Sequence, residues 1–136
     1  MDLCIYRLLI DFGLLFLIWI VQLIIYPSFT NFSKEDLTEW HKKYTVTIGV
    51  LVGPLMLAQL AVYLIQAFFT PTFLNIGTLI LVITTWLVTF FQFVPMHKAI
   101  SLGEINDELL EGIVKKNWSR TIIWSLLFII SSFSCM

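Results

Sequence analysis

The run from Pro95 to Trp124, PMHKAISLGEINDELLEGIVKKNWSRTIIW, collects polar side chains on the ends of two apolar stretches. His97 carries an imidazole able to take or give a proton near neutral pH. Arg120 brings a permanent charge on a planar fork that can hold a developing anion, and Asn117 can donate to an oxyanion or carbonyl. The chemistry these three point to is proton abstraction, with His97 as base and Arg120 and Asn117 as donors. His41 is the other histidine of the chain. Gln22, Tyr26, Tyr44, Gln92, Thr121, Trp118 and Trp124 are assigned with it to the same end of the chain's helices. There, aromatic walls and a few polar groups would make a small-molecule pocket.

Other readings of the same residues stay open. Arg120 can act as a positive anchor that snorkels to headgroups, and the histidines as interfacial hydrogen-bonding groups. His41 and His97 could also converge on a metal or a haem. The paired Glu-x-x-His motifs of di-iron bundles are missing, as are CxxCH for attached haem and any CxxC spacing. No metal is assigned, and the cofactor is left unassigned.

The elements that must position these groups follow from composition. With 59% hydrophobic and 12% charged residues, and a mean hydropathy of +0.92, the 136-residue chain departs from the roughly 25% charge of soluble domains. It reads as one integral membrane domain whose partner is the lipid bilayer. A net charge of −1, with the basic residues grouped by membrane side, excludes a nucleic-acid surface.

A bilayer crossing needs roughly 20 apolar residues, and the runs 8–26, 46–69, 73–94 and 118–133 reach or approach that length. The spacing predicts helices over about 8–26, 37–69, 73–100 and 107–133, forming a four-helix up-and-down transmembrane bundle. Short interfacial helical extensions should precede helix 2, capped by Ser33, and helix 4, capped by Asn106. The first run follows Met1-Asp2 without a small-x-small cleavage site, so it reads as a permanent helix. Lys34, Lys42, Lys43, Lys98, Lys115, Lys116 and Arg120 fall on the side of the two longer connections, against Arg7 on the other. That asymmetry places those connections in the cytoplasm and both termini outside, with the pocket opening toward the cytoplasmic face. Oligomeric state is not legible.

Several residues read as structural. Asp11, the acid inside an apolar run, has Arg7 four residues back as a pairing partner; proton chemistry is the alternative. Gly49-x-x-x-Gly53 predicts close backbone approach of a neighbouring helix, and Pro54 a bend. The glutamines of helix 2 should bond neighbouring helices, and the threonines of helix 3 their own backbone. Cys4 and Cys135 reach the same surface, where a disulfide could form, but the narrow geometry makes two unpaired apolar residues the preferred reading.

The segments VPMHKAISLG and NWSRTIIW, with YPSF and VGPLM, resemble a group of small bacterial four-helix membrane proteins of uncharacterised activity. More distantly, Pro95 closing helix 3, followed by Trp118 and Arg120 on helix 4, is similar to the anthrone-oxygenase-like membrane family. The first resemblance implies a bacterial inner-membrane location, and the second cofactor-independent oxygenation of polycyclic phenolic ketones through a deprotonated, electron-rich enolate. His97 stands where many relatives carry asparagine. Two classes of function follow: an oxygenase-like or other small-molecule redox enzyme acting on a hydrophobic ligand, or a non-enzymatic transport, accessory or partner-binding module.

Overall fold

The computed structural model describes residues 3–135, and four long helices account for nearly all of them. We label them α1 (Leu3–Asn31), α2 (Lys34–Phe69), α3 (Phe73–Ser101) and α4 (Asp107–Ser134). Each begins or ends where the sequence supplies the chemistry. Ser33 caps α2 by accepting from the Asp36 amide at 3.1 Å, and Asn106 caps α4 by accepting from the Leu109 amide at 2.8 Å. Thr72 caps α3 in the same way, a signal the sequence reading did not use. Gly103 takes φ +79°, a left-handed turn that ends α3 and that side chains disfavour.

The connections are a few residues each, so sequence neighbours pack antiparallel, and α1 closes the ring by packing along α4. α1 runs longer at both ends than its apolar core implies, and the extension capped by Ser33 is continuous with the body of α2 from Lys34 onward. Met1 and Asp2, the flank on which the reading of the first helix rested, lie outside the described residues.

α1, α2 and α3 are long and apolar enough to cross a bilayer. α4 falls short of that measure, because Arg120 and several serines interrupt its apolar half. The bundle nevertheless turns large apolar side chains outward and keeps polar ones inside beside its apolar core. Phe68, Phe69, Phe73 and Phe91 stand exposed, whereas Arg7, Asp11, Gln22, Gln59, Asn117 and Thr121 are buried between helices. Such sorting suits a hydrocarbon surrounding, where an unsatisfied polar group would cost several kcal/mol and an exposed phenylalanine nothing. The six lysines are all exposed; Arg7 and Arg120 are buried. Arg120 is therefore not placed as the surface anchor that the sequence also allowed.

Pro54 sits inside α2, which continues as helix from Lys34 to Phe69. Two expectations change. Gly49 and Gly53 do not bring a neighbour close: a Cβ built at either would meet nothing within 4 Å. Cys4 and Cys135 are joined in a disulfide, their Cα atoms 5.6 Å apart. Packing α1 against α4 over their length fixes both ends in register, and this removes the geometric obstacle that argued against pairing.

α1 and α3 share a deformation. Each contains a five-residue π-helical turn, Val21–Ile25 and Thr89–Phe93, and each turn is followed at once by an X-Pro pair, Tyr26-Pro27 and Val94-Pro95. The wider turn makes room for a proline ring that would otherwise collide with the carbonyl one turn back. It also advances the register by one residue. On α3 the inward position passes from Gln92 to Phe93, and on α1 both Val21 and Gln22 become buried.

Candidate functional site

The two π-turns flank a cavity of about 250 Å³, just under the about 300–1,000 Å³ of typical ligand pockets. Leu14, Ile18 and Val21 of α1, Val52 and Met56 of α2, and Phe90 and Phe93 of α3 make its walls apolar. Gly49 and Gly53 supply the missing volume on the α2 side. Three of its lining residues, Gly49, Phe90 and Val94, are exposed on the outer surface, so the cavity opens sideways between α2 and α3. Trp86, whose indole N–H has no acceptor among the described residues, also lines it.

One wall is polar. Arg120, 7% exposed, donates from Nε and Nη2 to Asn117 Oδ1 at 2.9 and 2.6 Å, and from Nη2 to Tyr26 Oη at 3.0 Å. Its Nη1 reaches Thr89 Oγ1 at 3.4 Å, and its carbon centre lies 3.6 Å from the Phe93 ring centroid. Every one of these partners is neutral. Among the described residues, no carboxylate lies within 4.0 Å of Arg120, and Arg7–Asp11 is the sole ion pair. The guanidinium is thus well satisfied as a donor and uncompensated as a charge.

Behind Arg120 the amides are locked. Asn117 Nδ2 donates to Gln22 Oε1 at 2.9 Å, which forces Asn117 Oδ1 toward the guanidinium. Thr121 Oγ1 also donates to Gln22 Oε1, at 3.2 Å, and Gln22 Nε2 donates to the Val114 carbonyl. Asn117, Gln22 and Thr121 therefore position Arg120; none of them lines the cavity. Asn117, expected as an oxyanion donor, stands behind the cavity wall, whereas Arg120 and Tyr26 line it.

Ahead of Arg120 runs a second line of bonds. Tyr26 Oη lies 2.8 Å from His97 Nε2, His97 Nδ1 lies 2.8 Å from His41 Nε2, and His41 Nδ1 lies 2.8 Å from Ser101 Oγ. Both His97 ring nitrogens are thus engaged by protein groups, and the oxygen nearest the cavity is that of Tyr26. A base role for His97 would have to act through that phenol. The two imidazoles do not fit axial haem ligation, which would hold the nitrogens about 4 Å apart, twice a metal–imidazole bond of about 2.0–2.1 Å. Among the described residues no third His, Cys, Asp or Glu joins them.

Of the residues read from sequence, Tyr26, Tyr44, His97, Arg120 and Trp124 line the cavity, and His41 lies one bond behind. Gln92, rotated away by the π-turn, is half-buried with no bonded partner among the described residues, and Trp118 sits on the outer surface with its ring edge against Trp19 at 5.7 Å. The sequence reading missed Ser101, Thr89, Phe93 and the wall role of the glycines. Ser101 is four residues beyond His97 on one helical face, a spacing that was available. Phe93 was hidden by the register shift.

No family model, curated protein or solved structure matches the chain.

Proposed function

We propose that the protein spans the bilayer with all four helices and binds a lipid-soluble, weakly acidic small molecule in this cavity, stabilising it as an anion. One observation carries the reading: a buried guanidinium with only neutral partners at the end of an apolar cavity. Burying a cation without a countercharge is costly, and an anionic ligand would offset that cost in a low-dielectric site where the attraction is strong. Apolar walls supply most of the binding surface, and Arg120 with Tyr26 fixes the charged oxygen. The sideways opening supports entry from the membrane. The lysine asymmetry supports cytoplasmic connections, with the disulfide end outside, as in a bacterial inner membrane.

In its enzymatic form the site would ionise an enolisable, phenol-like ketone. The carbanionic enolate can react with dioxygen without a cofactor, and the net change, a CH2 group plus O2 giving a carbonyl plus H2O, is balanced. This is the oxygenase-like activity that the resemblance implies.

The experiment is extraction of the protein in mild detergent, followed by mass spectrometry of co-purifying small molecules from wild type and Arg120→Gln. Wild type should retain an apolar acid, and the variant should lose at least nine-tenths of it while melting normally. Equal retention by both would refute the assignment of Arg120. Oxygen uptake with an anthrone-type ketone then separates enzyme from binding module.

A further inference from the structure

We propose that Tyr26, His97, His41 and Ser101 form a directional proton relay that carries the ligand's proton out of the cavity to the surface end of α3, leaving the anion with Arg120. The inference deepens the anion-binding reading and rests on it for its ligand.

Direction follows from counting hydrogens. Arg120 is donor only, so Tyr26 Oη accepts from it. The single phenolic hydrogen has one other partner among the described residues, His97 Nε2. Turned anywhere else, it would face an apolar cavity unbonded. His97 Nε2 is therefore the acceptor, and a neutral ring then carries its hydrogen on Nδ1. That hydrogen points at His41 Nε2, which must in turn be a lone pair. His41 Nδ1–H donates to Ser101 Oγ. Both rings rest as the Nδ1–H tautomer, and one hydrogen occupies each gap. Ser101 is half-buried beside the exposed residues Leu102 and Gly103, so its own hydroxyl can reach water.

Transfer reverses every bond in the line. The ligand's acidic hydrogen passes to Tyr26 Oη as the phenolic hydrogen passes to His97 Nε2. His97 releases its Nδ1 hydrogen to His41 Nε2, His41 releases its own to Ser101, and Ser101 gives one to water. The balance is one ligand anion in the cavity and one proton outside, with every relay group again neutral. Tyr26 now donates to the anion beside Arg120, and both rings have become Nε2–H tautomers. Geometry favours such a switch, since the imidazoles lie 21° from coplanar with centroids 5.0 Å apart along the line of their shared hydrogen bond and need no rotation.

The test is nitrogen NMR of protein labelled in its two histidines, in lipid nanodiscs, without and with 4-nitrophenol, whose absorption distinguishes phenol from phenolate. Without probe, both rings should read as neutral Nδ1–H. An imidazolium, or opposite tautomers on the two rings, would overturn the relay whatever the cavity binds. With probe bound as phenolate, both rings should switch to Nε2–H and one proton per probe should appear on an external indicator. Bound phenolate with unswitched rings also overturns the relay, while leaving the anion site intact. Failure of 4-nitrophenol to bind counts against the anion site, and the unliganded spectrum still decides the relay. His41→Gln, which keeps hydrogen bonds but cannot pass a proton between two nitrogens, should slow proton release at least tenfold with phenolate affinity unchanged. Unaltered release would sink the proposal.

Discussion

The bundle buries two arginines at opposite ends, and they are treated differently. At the disulfide end, Arg7 lies 4.0 Å from Asp11 and donates to Ser131 Oγ at 2.8 Å and Gln66 Oε1 at 2.9 Å, with the Tyr63 ring 4.6 Å away. Asp11 accepts from Gln59 Nε2 and Tyr63 Oη, both at 2.6 Å, and from Ser131. Charge is matched there, and the carboxylate has a donor on each oxygen. At the other end, Arg120 has the same kinds of neighbour, an amide, a phenol, a hydroxyl and an aromatic face, but no acid, and it borders a cavity. The indole N–H of Trp124 donating to Gln59 Oε1 at 3.1 Å ties the two ends together. The comparison teaches that the same kinds of neighbour surround a buried arginine whose charge is answered within the protein and one whose charge is not, and the proposed anion site rests on that difference.

The contrast can be broken at either end. The largest effect is expected for Asp11→Ala, which strands Arg7 without countercharge. It should cost about 3–5 kcal/mol, seen as a lower thermal midpoint in mild detergent. A loss similar to that of Arg120→Gln would erase the distinction. Cys4→Ser should cost about 2–4 kcal/mol if the disulfide acts by restraining the unfolded chain, measured by the same melt with and without reductant. Arg120→Gln should weaken 4-nitrophenolate binding about 10- to 100-fold, or about 1.4–2.7 kcal/mol, with a smaller effect on melting. The smallest effect sharpens the cavity itself. Gly53→Ala should raise stability by about 0.5–1 kcal/mol, the helix preference for alanine over glycine, while lowering probe affinity several-fold by filling empty space. Destabilisation instead would mean that the glycine supports helix contact after all.

Much of this was legible in the chain. Hydrophobic run lengths set four helices, Ser33 and Asn106 marked two starts, Gly103 marked a break, and the short connections forced antiparallel neighbours. The pairing of Arg7 with Asp11 and the gathering of Tyr26, His97 and Arg120 at one end followed from spacing and parity. Gln92, Gly49 and Gly53 were misplaced for one physical reason. A constant 3.6-residue period cannot foresee a π-turn, and a small-residue motif does not say whether its groove is filled by a helix or left open.

The sequence by itself determined that these segments are helical, where α2, α3 and α4 stop, and which end holds the lysines and histidines, because those properties depend on local composition, caps and the length of each apolar run. The tertiary structure alone decided that Arg120 faces inward without a carboxylate, that four side chains on three helices stand in a line at hydrogen-bond distance, and that Cys4 meets Cys135. Each of those depends on distances of an ångström or less between residues far apart in the chain, and no local rule carries that information.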